Sequence, residues 1–260
     1  MRYQEIIYEV DDHIAFITIN RPTVFNALKM STKYEIEDAI DRVKEDLNVH
    51  GIIITGKGKG FIAGNDISEI RIDAKAEETV AMSMHAHRLF DKFDKLPKPI
   101  IAAVNGFAMG GGAELALACD LRVASTRAVF SLPEVGLGVA PCYGGTQRLP
   151  RLVGTGWAKD LLFTGRRIGA DEALRIGLVN RVAEPEELMN CTVELMKSIL
   201  KNAPMAVKVC KHLVNRGMDM NFEDALKLES KLNGMLAETD DAKEGVKAFF
   251  EKRAPVFNGK

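Results

Sequence analysis

Cysteine is scarce and unpatterned in this chain: its four cysteines, at 119, 142, 191 and 210, form no CxxC pair and have no His-spaced partner. That disfavours a zinc site or a disulfide framework and leaves reduced thiols as the simpler reading. His85 and His87 stand two apart on a probable helix, point in different directions and cannot share a metal unaided, so no metal is expected. No 18-residue apolar run occurs, and the start, Met1-Arg2-Tyr3-Gln4-Glu5, lacks an apolar core and cleavage site. A cytoplasmic location without membrane association is therefore expected. Charge of one sign is lacking too, since 35 Lys plus Arg face 36 Asp plus Glu for a net charge of −1. No basic field is available for a nucleic acid, and an anionic ligand must be bound locally. There is no G-x-S-x-G elbow and no cysteine with an evident His partner, which gives a nucleophilic hydrolase little support. Neither Gly56-Lys57-Gly58-Lys59-Gly60 nor the stretch from Gly106 to Gly112 reproduces G-x-G-x-x-G, so a dinucleotide site ranks low.

What remains is an ordinary globular composition, with 47% hydrophobic and 27% charged residues in 260. That length suits one large α/β domain or one domain with an appendage. Ile14 to Ile19 is short, apolar and β-branched and stops at Asn20-Arg21-Pro22, as a strand does. Thr32 to Glu35 has capping-box spacing, and Ile36, Ile40, Val43 and Leu47 follow at helical intervals. Ile52 to Thr55, between Gly51 and Gly56, reads as a strand buried on both faces. A helix over 76–94, a strand over Ile100 to Val104, a helix from Gly110-Gly111-Gly112 through Ala118, and a strand over Leu121 to Ser125 continue the alternation to about residue 182. From Glu186 onward the patterns are helical only, over 187–201, 204–216 and 222–237. The expected division is a core over residues 1–194 and a helical region over 195–260.

Three places invite chemistry. Phe61 to Ile67 links a strand to a helix, where backbone N–H groups point at ligands; equally, Asp66 caps the helix carrying Ile67 and Ile70. Gly110-Gly111-Gly112 either admits a ligand to a helix N-terminus, where developing negative charge is stabilised, or packs helix against strand. Glu114, in a helix otherwise of Ala and Leu, is a proton carrier if buried and a dipole-complementing carboxylate if not. Glu134 is a lone acid in a Gly/Pro-bounded apolar loop, and two such acids can divide protonation roles.

Read in order, Asn20-Arg21-Pro22 with Asn26-Ala27-Leu28, Ala63-Gly64-Asn65-Asp66-Ile67, Asn105-Gly106 with Gly110 to Leu115, Pro133 to Leu137, and Gly144 to Leu149 closely resemble the enoyl-CoA hydratase (crotonase) family. The similarity extends to Lys243-Glu244-Gly245 and Phe249 to Phe257. The resemblance implies a spiral of ββα units followed by a helical trimerisation region, in a homotrimer or dimer of trimers. It implies a lyase of fatty-acid β-oxidation type that adds water reversibly, in syn fashion, to a trans-2-enoyl-CoA, with coenzyme A entering as part of the substrate and no permanent cofactor. It maps an oxyanion hole to the N–H groups of Ala63 and Gly111, and the two catalytic acids to Glu114 and Glu134. It assigns coenzyme A and substrate binding to Ala27, Leu28, Gly64, Asn65, Asp66, Ile67 and Cys142. Charge adds Lys29 and Lys252 as phosphate contacts. Asn65 and Cys142, the latter followed by Tyr143, depart from the small residues usual at their positions and bear on acyl specificity. Cys142 is expected to line the acyl pocket near Glu134. Alternatives are another reaction of the superfamily (isomerisation, or hydration or hydrolysis of a cyclic or branched acyl-CoA) and a non-catalytic acyl-CoA-binding protein.

Overall fold

The computed structural model describes residues 3–69, 71 and 73–260. The chain opens with β1 (Ile6–Asp11) and β2 (Ile14–Ile19), an antiparallel hairpin turning on Asp12 and His13, whose φ angles are 45° and 64°. Helix α1 (Met30–Glu45) follows, and then one unit recurs. Its first copy is β3 (Gly51–Gly56), β4 (Gly60–Ile62) and α2 (Ala76–Lys95). The second is β5 (Ile100–Val104), β6 (Phe107–Met109) and α3 (Gly111–Ala118). The third is β7 (Leu121–Ser125), β8 (Val129–Ser131) and α4 (Gly145–Thr164). After β9 (Ile168–Gly169), α5 (Ala170–Arg175) and β10 (Arg181–Ala183) come α6 (Leu188–Leu200), α7 (Pro204–Gly217), α8 (Phe222–Ala237) and α9 (Asp240–Glu251).

The long strands form one sheet in the order β1-β2-β3-β5-β7-β10, parallel from β2 onward, and the short strands a second in the order β4-β6-β8-β9. Each unit therefore places one strand in each sheet and steps along both, which is the ββα spiral of the crotonase fold. The corner between sheets is held by side-chain amides. Asn105 Nδ2 donates to the carbonyls of Gly56 and Gly58 at 2.8 and 2.9 Å, and Asn26 Nδ2 to those of Gly60 and Lys57 at 2.8 and 3.0 Å. Carbonyls at the ends of β3 and β4 and in the turn between them are satisfied in this way.

The apolar run of β3 is buried on both faces, as its composition predicts. Ile52 and Ile54 join the main core with α1, α2 and α3, while Ile53 faces Leu188 and Met196 of α6. Helix α6 therefore covers the back of the large sheet, and the boundary expected at 194/195 falls inside it. The part that leaves the body begins at α7, which is tied back by Lys211 Nζ donating to Asp120 Oδ2 at 2.8 Å and to the carbonyls of Phe93 and Lys98.

Three local expectations need correction. Helix α1 starts two residues before Thr32, whose Oγ1 accepts the N–H of Lys29 at 3.3 Å from the first turn. Glu35, expected to complete a capping box, instead accepts the N–H groups of Gln4, Glu5 and Ile6 and fixes the entry to β1. Leu47 lies beyond the helix end and is 87% exposed.

Candidate active site

Strand β4 delivers Ala63-Gly64-Asn65 to the N-terminus of α3, and hydrogen bonding there decides which N–H groups are free. The N–H of Ala63 donates to the Phe25 carbonyl at 3.0 Å, so the donor assigned to Ala63 is already engaged. Leu28 pairs with Asn65 as a parallel bridge, donating to the Gly64 carbonyl at 2.8 Å and accepting from the Asp66 N–H at 2.9 Å. In that pairing the N–H of Asn65 points away from Leu28. Among the described residues it has no backbone or side-chain acceptor, and neither has the N–H of Gly111 in the first turn of α3. The two sites adjoin, for a Cβ on Gly111 would lie 3.1 Å from Asn65 Oδ1. Among the described residues the free pair of donors is thus Asn65, two residues beyond Ala63, and Gly111, one turn before Glu114.

Gly110 makes the turn into α3 at φ 48° and ψ −122°, a conformation closed to side chains, and a Cβ there would meet Glu134 Oε1 at 2.8 Å. Glu134 therefore lies directly over the helix N-terminus. Glu114 is on the first turn of the same helix and is 2% exposed. Its Oε1 accepts the N–H groups of Tyr143 and Gly145, both at 2.8 Å. Burial pushes its carboxyl up to about 7, against the pull of those two N–H donors and with reinforcement from the charge of Glu134. Glu134 is half-buried, its carboxyl is likewise raised by burial, and its Oε2 is buried without a partner. A second orphaned acceptor, Asn65 Oδ1, stands in the same place. Unpaired buried acceptors of this kind mark where a donor such as water or substrate belongs.

The residues assigned to coenzyme A divide. Asp66 caps the short 3-10 turn Ile67–Glu69 by accepting Ser68 N–H and Oγ at 3.0 and 2.7 Å, and it also accepts from Arg21 Nη2 at 2.7 Å. Ser68 first and Arg21 second hold its carboxyl well below the usual carboxylate range. With its own N–H given to Leu28 and its carboxylate engaged by Ser68 and Arg21, Asp66 shapes the loop and offers a phosphate no donor. Ile70, expected on the helix after Asp66, lies outside the described residues. Leu28 is buried in the bridge, Ala27 takes the Arg21 Nη1 donor on its carbonyl, and Ile67 is 82% exposed beside them. Lys29 immediately precedes α1 and is half-buried, whereas Lys252 closes α9 in left-handed backbone at φ 54°. Cys142 is half-buried against the main core, and burial pushes its thiol up.

Two residues enter the site that the sequence reading leaves unassigned. Tyr143 donates its N–H to Glu114, and its ring edge lies 3.3 Å from where a Cβ on Gly111 would stand. Lys33 is buried and donates from Nζ to the Tyr143 hydroxyl at 2.9 Å. A signal for Lys33 exists: it is three residues before Ile36 and seven before Ile40, on the apolar stripe of α1.

This geometry pairs two free N–H donors with the buried carboxyl of Glu114 and the half-buried one of Glu134 on a ββα spiral. The enoyl-CoA hydratase/isomerase family model matches residues 9–260. A short-chain-enoyl-CoA hydratase of Clostridium acetobutylicum is 48% identical over 254 residues, 97% of each chain. A crotonyl-CoA hydratase of Syntrophomonas wolfei is 46% identical over 261 residues, covering 100% of both. A solved structure of an enoyl-CoA hydratase from Bacillus anthracis superposes with a TM-score of 0.94 at 37% identity, covering 99% of this chain and 100% of that one. The chain belongs to the enoyl-CoA hydratase/isomerase family. Its activity is that of an enoyl-CoA hydratase, a hydro-lyase acting on coenzyme A thioesters.

Proposed function

We propose that the thioester oxygen is held between the N–H groups of Asn65 and Gly111 while Glu114 and Glu134 move the protons of syn hydration. The observation that carries this is the coincidence of two unengaged N–H donors with one buried and one half-buried carboxyl, the latter's Oε2 having no partner among the described residues. As water adds to the β carbon, negative charge develops on the thioester oxygen. Each fixed donor there stabilises the transition state by about 2.7–4 kcal/mol, helped by the partial positive charge at the N-terminus of α3. Glu114, whose two N–H partners favour its anion, takes a proton from the attacking water. Glu134, whose carboxyl is raised by burial and whose Oε2 has no partner among the described residues, gives its proton to the α carbon. A turnover thus exchanges the protonation states of the two acids, and dehydration starts from the exchanged state.

The acid limb of kcat/KM for crotonyl-CoA is expected to follow the pair with an apparent pKa near the Glu114 value of about 7, the rate falling as the pH drops and the base is protonated. A pH-rate profile checks this; a limb lying wholly below pH ~5, the range of ordinary carboxylates, contradicts it.

Coenzyme A reaches the site past Ala27, Leu28 and Ile67, with Lys29 and Lys252 as its phosphate partners. Helices α7, α8 and α9 form the oligomerisation region and assemble a homotrimer or a dimer of trimers in the cytoplasm. Phe222, Phe249 and Phe250 are 78%, 79% and 78% exposed, and Leu226, Met235 and Val246 extend this surface. Large apolar side chains left this exposed on α8 and α9 support burial against another copy of the chain. Sedimentation at micromolar concentration is expected to show a trimer or hexamer, and a monomer there refutes the interface. No helix among the described residues is long and apolar enough to cross a membrane.

A further inference from the structure

Tyr143 is the largest fully buried side chain of the chain's described residues, and it stands inside the site. Its backbone holds Glu114 and its ring flanks Gly111, so the side chain runs alongside the free N–H donor and the acid to which the proposed hydration is assigned. The ring is gripped on two sides. Phe90 meets it edge-on at 6.3 Å, and Lys33 Nζ lies 4.7 Å from its centre while donating to its hydroxyl.

Lys33 is an unusual resident of such a place. It is 2% exposed, its other polar contact is Met30 Sδ at 3.8 Å, and burial holds its ammonium below the ordinary lysine range. A buried ammonium needs its hydrogen-bond partner, so a ring that swung aside would leave the charge unpaired in a dry interior. Tyr143 is therefore held in place and cannot yield to a substrate as a free aromatic side chain would. Behind α3, the space lined by Ala113, Leu117, Leu149 and Leu161 measures about 20 Å³. That is room for about one water and none for a run of methylenes.

We propose that Tyr143, clamped by Lys33, is the end wall of the acyl pocket and restricts the enzyme to short, crotonyl-sized enoyl thioesters. This wall rests on the hydratase reading of the site. Cys142, its neighbour, adds to the narrowing, but the tyrosine supplies most of the volume.

The test is the ratio of kcat/KM for trans-2-octenoyl-CoA over that for crotonyl-CoA in the parent, in Tyr143→Ala and in Lys33→Met. The parent is expected to favour crotonyl-CoA strongly. Tyr143→Ala, which keeps the N–H that Glu114 needs, is expected to raise the ratio by about tenfold or more, the usual reach of pocket volume in specificity. Lys33→Met, a change at a positioning residue, is expected to raise it by a smaller factor as the ring is released. A purely structural lysine would lower both rates alike and leave the ratio unmoved. Equal use of the two substrates by the parent overturns the wall while leaving the hydratase reading intact. So does an unchanged ratio in a folded Tyr143→Ala enzyme. If that variant does not fold, the parent ratio and the Lys33→Met ratio decide. Failure of the parent to hydrate crotonyl-CoA at all overturns the hydratase reading and the wall with it.

Discussion

Replacing either Glu114 or Glu134 with glutamine is expected to lower kcat for hydration of crotonyl-CoA by at least about 10²-fold with little change in KM, because the proposed role of each acid is proton transfer. The amide is nearly isosteric, and at position 114 its oxygen can still accept the N–H groups of Tyr143 and Gly145. A loss of rate therefore reports on the missing proton. Steady-state kinetics decide the matter, and turnover within a few-fold of the parent for either variant removes that residue from the mechanism. Glu114→Gln carries a second signature. Burial raises the folded-state pKa of Glu114 to about 7, above its unfolded value, so the stability associated with its neutral form is present at low pH and is lost as pH rises through about 7. The glutamine variant is consequently expected to be more stable than the parent at pH 8, by roughly 3 kcal/mol at one pKa unit per 1.36 kcal/mol, with the difference vanishing near pH 4. Thermal unfolding at the two pH values checks it.

Gly112→Ala is expected to remove most activity without touching an acid. A Cβ there would lie 2.1 Å from the Ile62 carbonyl oxygen and 2.7 Å from the Ile62 Cβ, contacts that real structures do not hold. The obstruction is backbone, so α3 must move away from β4. Gly111 rides on α3 and Asn65 follows β4, so the shift parts the two proposed oxyanion donors. Losing one such donor costs about 10²–10³ in kcat. Overpacking adds about 1–3 kcal/mol of destabilisation, which melting measurements report separately. A folded Gly112→Ala enzyme with parental kcat contradicts the placement of the oxyanion hole between these two elements.

What the sequence reveals and conceals follows from the distance over which a residue's role is decided. The strand at Ile52 to Thr55, the glycine turn before Glu114 and the helical tail are legible because burial on both faces, open φ and helical periodicity are local properties. The hairpin strand β1 is not singled out, since Ile6-Ile7-Tyr8-Glu9-Val10-Asp11 is buried at its start and exposed at its end and earns its place by pairing with β2. The spacing of Ala63-Gly64-Asn65 shows that a donor lies there but not which one. That choice depends on the Phe25 carbonyl and the bridge to Leu28, both remote in sequence. Asp66 has the composition of a ligand-binding loop residue, yet Arg21 and Ser68 consume it. The Lys33–Tyr143 contact joins residues 110 apart, and no local pattern in the helix or in the loop announces it.

The most direct measurement follows crotonyl-CoA by the absorbance of its conjugated double bond while free thiol is titrated in the same reaction. Two carboxyls acting across a thioester held by Asn65 and Gly111 predict rapid loss of the double bond, formation of 3-hydroxybutyryl-CoA and no release of thiol. Persistence of the double bond, or its loss in step with liberated coenzyme A, contradicts hydration at this site.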